Sequence, residues 1–137
     1  MCKTIEMLLR QDFDEYEVIV VDQTPSHLPE VQQRLDSLLG RIRYYKLDYP
    51  NIFAAFNLGI RVAQAEIINF LDDDVIIHKD YLMYYYRSFV NANDRIGGVM
   101  GLILDYEYSS EQDCLNMMKS RFGVLGEVKL GDVVAEE

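Results

Sequence analysis

The stretch Glu66-Ile67-Ile68-Asn69-Phe70-Leu71-Asp72-Asp73-Asp74 passes from apolar to anionic in a single step. A run such as Ile67, Ile68, Phe70 and Leu71 has the composition of a strand buried between helices, and in open α/β sheets ligands gather outside the carboxyl ends of such strands. The junction therefore predicts a strand that delivers three carboxylates to one point. Three adjacent anions repel one another, and keeping all of them ionised calls for a divalent cation or strong donors. The cluster points to a metal, and to a metal that arrives with phosphate.

Outward from this stretch, apolar residues alternate between helical and strand patterns. Ile5, Leu8 and Leu9 are spaced as one face of a helix over residues 1–11. Val18 to Val21 form a β-branched run closed by Asp22-Gln23-Thr24-Pro25, which predicts a buried strand and a loop. Val31, Leu35, Leu38 and Leu39 give a helix face ended by Gly40, and residues 42–47 read as a second strand. Residues 53–65 form a helix with Ala55, Leu58 and Val62 on its inner stripe. After the acidic stretch, residues 80–92 are helical with Leu82, Tyr85, Tyr86 and Phe89 inward, and residues 97–104 form a further apolar strand. Residues 111–120 read as a helix, and residues 123–137 as strands or a tail. This alternation predicts an α/β fold with a mostly parallel sheet and helices on both faces.

The 137 residues suit one domain, and 50% hydrophobic against 26% charged residues is enough to build a core. A formal net charge of -10, with no basic block, argues against nucleic acid as a partner. Cys2 and Cys114 lie too far apart in sequence for a C-x-x-C arrangement and read as reduced thiols of a cytoplasmic protein. No apolar run reaches membrane-spanning length and no signal-peptide pattern is present, although a longer protein would have room for an anchor at the cytoplasmic face. His27 and His78 lack metal-ligand spacing and are expected to have no role. Tyr81, Tyr84, Tyr85 and Tyr86 are spaced for packing rather than for a sugar platform.

Three segments in order, Tyr16-Glu17-Val18-Ile19-Val20-Val21-Asp22, Ala55-Phe56-Asn57-Leu58-Gly59-Ile60 and Phe70-Leu71-Asp72-Asp73-Asp74, resemble the nucleotide-sugar-binding half of glycosyltransferase family 2, enzymes with the GT-A fold. The similarity runs from about Lys3 to Leu104 and includes Gln11 and Phe13 after the first helix. It implies a donor-binding core over 1–104 and a partial acceptor-side region or tail over 105–137. It also implies that the family's first strand and its acceptor half lie outside this sequence. The donor would be a UDP-, GDP- or dTDP-sugar, contacted by Asp22, Gln23, Asn57, Asp72 and Asp73. Asp74, with Asp72, would hold Mg²⁺ or Mn²⁺. The family continues after its strand-end acid with a second acid and Gly-Ser, where this chain has Gln23-Thr24-Pro25, and carries Arg where this chain has Phe56.

Transfer of the sugar to a hydroxyl of a glycan or lipid-linked acceptor, with inversion, needs a general base. The family places it downstream of the acidic motif, and Asp105, Glu107 and Asp132 read as surface acids. The catalytic base is therefore expected outside the chain. Without the first strand, the inner sheet edge is expected to pair with another chain as a homo-oligomer or swapped dimer. Two alternatives fit fewer residues. One is a nucleotide-sugar-binding fragment without catalysis, and the other is a haloacid dehalogenase-type phosphatase with Asp72 as nucleophile and Asp74 as acid/base.

Overall fold

In the computed structural model, residues 1–91 and 97–99 are described. They contain helix α1 (Cys2–Leu8), strand β1 (Ile19–Asp22), helix α2 (Pro29–Asp36), strand β2 (Arg43–Lys46), helix α3 (Ile52–Val62) and helix α4 (Tyr81–Val90). The expected strand from 100 to 104, the helix over 111–120 and the boundary at 104/105 lie outside the described residues, as do Cys114, Asp105, Glu107 and Asp132. No described helix is long and apolar enough to cross a membrane. The described residues fall into two compact units, one of 1–10 with 14–74 and the other of 11–13 with the residues from 75 onward.

In the first unit, the β-branched run of β1 pairs in parallel with β2, with Ile19 opposite Arg43 and Asp22 opposite Lys46. Side chains alternate across a strand, so Val20 and Asp22 share a face with Tyr44 and Lys46. Val20 and Tyr44 pack against a core of Ile5 from α1, Leu35 from α2, Val18, Leu38 and Ile42. Leu35 is fully buried, which contributes about 1.5–3 kcal/mol relative to an exposed side chain. Pro29 opens α2 where its fixed φ is already helical, and the helix ends at Asp36, short of Gly40, in a turn that still buries Leu38. An Arg34–Glu6 pair joins α2 to α1 through two hydrogen bonds of 2.5 and 2.6 Å.

α3 lies against β1 and is N-capped by Asn51, whose Oδ1 accepts the Ala54 amide at 3.0 Å. Its expected inner residues Ala55, Leu58 and Val62 are half-buried, while Phe53 and Ile60 on the outer side are exposed. Glu17 ties the far end of α3 to the sheet: its Oε1 accepts the Gln64 amide at 2.6 Å and its other oxygen pairs with Arg43.

The strand expected over 67–71 does not form. Among the described residues the sheet has two strands, β1 and β2. Residues 67–72 run without a ladder, and Ile67, Ile68 and Phe70 are exposed, with Phe70 stacked on Phe56 at 4.7 Å between ring centroids. The composition of a buried strand is present, but a strand exists only when a neighbour takes up its N–H and C=O groups.

In the second unit, Gln11 is buried and serves both sides of the turn before α4. Its Nε2 donates to the His78 carbonyl at 2.8 Å and its Oε1 accepts the Leu82 amide at 3.0 Å. Lys79 and Asp12 pair at 2.6 Å. On α4 it is Tyr81 that is buried, stacked on Tyr85 at 4.8 Å, whereas the expected inward Tyr86 is 43% exposed and meets Phe13.

Candidate donor-binding site

The candidate residues divide into a buried group at the end of β1 and an exposed group at 72–74. At the end of β1, Asp22 is 4% exposed and its carboxylate is enclosed by donors. Oδ1 accepts the Thr24 amide at 2.8 Å, an Asx turn that begins the loop into α2. Oδ2 accepts from His27 Nε2 at 2.6 Å, Tyr44 Oη at 2.5 Å and Lys46 Nζ at 3.0 Å. Lys46 also donates to the Thr24 carbonyl. Burial alone would push the Asp22 carboxyl up. The hydrogen bonds from Tyr44, His27, the Thr24 amide and Lys46 outweigh it and hold the group well below the usual carboxylate range. Burial together with Asp22 pushes the Tyr44 hydroxyl well above its ordinary value.

His27 lies in the loop between β1 and α2, as expected, and there it packs against Asp22. Its side chain is 8% exposed and closes the Asp22 cluster. Tyr44 and Lys46 carry a signal that sequence reading missed: they are two apart on β2, and parallel pairing places both on the face of Asp22. His27 carries no such signal, because its approach depends on the loop path.

Gln23 follows at the strand end, half-buried, with Nε2 donating to the Asn51 carbonyl at 2.7 Å. The end of β1 is thereby linked to the residue that caps α3. Asn57 lies in the middle of that helix, exposed, its side chain without a hydrogen-bond partner among the described residues.

The acidic triplet is solvent-facing. Asp72, Asp73 and Asp74 are all exposed, and neither the Asp72 nor the Asp74 carboxylate has a cationic partner among the described residues. The Asp73 side chain lies 3.5 Å from the Met1 amino group, and its carbonyl accepts the Thr4 hydroxyl at 2.8 Å. No three His, Cys, Asp or Glu residues among those described gather into a group able to hold a metal ion by themselves. What remains is one or two free carboxylates, the donor set that Mg²⁺ uses when substrate phosphates complete its shell. No hydrogen bond or ion pair among the described residues joins this triplet to the Asp22 cluster.

The first unit thus holds a parallel β1–α2–β2 unit, followed by α3 and then the acidic stretch. The family model described as glycosyl transferase family 2 matches residues 1–113, and the chain belongs to that family. Its fold is accordingly α/β of the GT-A type. Among curated proteins, a relative from Escherichia coli (strain K12) named putative colanic acid biosynthesis glycosyl transferase WcaA is 31% identical over 106 residues, covering 69% of this chain. The chain spans 37% of that relative's length. No solved structure matches the chain. The family match runs through residues 70–76, the stretch that suggested the phosphatase alternative, and sets the chain among glycosyltransferases instead.

Proposed function

We propose that this chain is the donor-binding part of a glycosyltransferase that moves a sugar from a nucleoside-diphosphate sugar to an acceptor hydroxyl with inversion. The observation that carries the proposal is the pair of exposed, unpaired carboxylates of Asp72 and Asp74 in a chain of this family. Asp74, assisted by Asp72, would hold Mg²⁺ or Mn²⁺, which when bound supplies Lewis-acid stabilisation of the charge developing on the leaving diphosphate. Asp73 and Asn57 are exposed and available to ribose, sugar or phosphate. Gln23 has its amide nitrogen committed to the Asn51 carbonyl, so its oxygen is the atom it would offer to a base. Asp22 acts behind them: with its carboxylate enclosed, it shapes the loop that Gln23 begins. The general base is not among the described residues assigned here.

A donor with a uridine, guanosine or thymidine base suits an acceptor group at Gln23, because these bases present an N–H on their pairing edge. The relative named for colanic acid biosynthesis supports a glycan or lipid-linked acceptor of polysaccharide assembly. Two cysteines far apart in sequence fit a reducing, cytoplasmic setting, or the cytoplasmic face of a membrane for a longer protein. Calorimetry with UDP-, GDP- and dTDP-sugars in Mn²⁺ or Mg²⁺ tests the reading. One donor class should bind in a metal-dependent manner, and Asp74→Asn should weaken that binding at least about tenfold, the loss of one charge-assisted contact. Absence of metal-dependent binding by every donor would overturn the proposal. A second reading, binding without transfer, is favoured by the 37% coverage of the relative. A turnover assay on the donor that binds separates the two.

A further inference from the structure

The acidic triplet lacks the usual means of fixing a strand-end loop, because residues 67–72 make no ladder with β1 or β2. Something else must set its position. Thr4 sits in the middle of α1, is 4% exposed, and donates its hydroxyl to the Asp73 carbonyl 69 residues away at 2.8 Å. That carbonyl belongs to the peptide linking Asp73 to Asp74, so the bond fixes the plane from which Asp74 departs. The hydroxyl thus ties the loop to the first turn of a helix whose next residue, Ile5, is buried in the core.

We propose that Thr4 is a positioning residue for the donor-diphosphate site, acting through the 73–74 peptide on Asp74. The proposal rests on the transferase reading above. A site carboxylate must be held to within a fraction of an ångström to be useful, and the part-buried Thr4 hydroxyl bond, beside the Met1–Asp73 ion pair, is what ties this loop to α1. Removing the hydroxyl leaves the Asp73 carbonyl without its anchor on α1, whereas serine keeps it.

The test compares wild type, Thr4→Val and Thr4→Ser in the 137-residue chain. Two measurements are made: hydrogen exchange of the amides at 73–75, and Mn²⁺-dependent binding of whichever donor the wild type accepts. Valine matches threonine in shape, so the core should survive; exchange at 73–75 should quicken and binding weaken by about 5- to 30-fold, with serine restoring both. Should the valine variant fail to fold, Thr4→Ala against Thr4→Ser, close in volume and differing in the hydroxyl, gives the same comparison. Wild type that binds no donor sinks the transferase reading, and this inference with it. Wild type that binds, with a valine or alanine variant that binds equally or exchanges no faster, sinks the Thr4 inference alone.

Discussion

Asp22 shows how a residue-level expectation can be right in place and different in action. Its position at the end of a β-branched run was legible, because a short polar residue there both stops the strand and starts an Asx turn. Its enclosure was not, since it depends on Tyr44, Lys46 and His27 arriving from 5 to 24 positions away in sequence. The enclosure has a pH signature. The folded carboxyl is held below its unfolded value, so its contribution is complete above about pH 4 and is lost as the pH falls through the folded value. Asp22→Asn places an amide among donors and should cost about 1–3 kcal/mol at pH 7. Urea midpoints should show that gap narrowing as the pH is lowered below about 4; a gap that is constant with pH would contradict the assignment.

At the level of elements, helices were read more faithfully than strands. α1, α3 and α4 stand close to where their apolar spacing placed them, because a helix satisfies its own backbone. Residues 67–71 carry the composition of a buried strand and do not form one, because a strand depends on a partner that composition does not contain. Gly40 misplaced the end of α2, since the chain there turns after Asp36 while keeping Leu38 inside. α3 buries no residue fully, so its cap has unusual weight. Asn51→Ala should destabilise the fold by about 1 kcal/mol in urea unfolding, while Asn51→Asp or Asn51→Ser should retain most of the stability. Equal stability of the alanine variant would show that the cap does not matter.

For the whole molecule, the three acids in a row were legible as a candidate site, while their support, a threonine and an amino group at α1, was not. Phe53, Ile60, Ile68 and Phe70 remain exposed in a chain of net charge -10. One edge of β1 has no strand partner among the described residues. Such surface favours association of copies despite their like charge, as a homo-oligomer or swapped dimer. Sedimentation velocity over a range of concentrations should show species larger than the monomer, reduced in the double variant Phe53→Glu, Ile60→Lys. A monomer at all concentrations would contradict this.

The Thr4–Asp73 bond also bears on the order in which the first unit comes together. Pairing Ile19 with Arg43 closes a loop of 43 − 19 = 24 residues, whereas bringing Asp73 to Thr4 closes 69. Loop-closure entropy rises with the logarithm of length, so the longer closure costs roughly 1 kcal/mol more, and it is supported by a hydroxyl bond and an exposed ion pair rather than a ladder. The β1–α2–β2 segment is therefore the durable nucleus of the unit, and the acidic triplet is the part that assembles last and opens first.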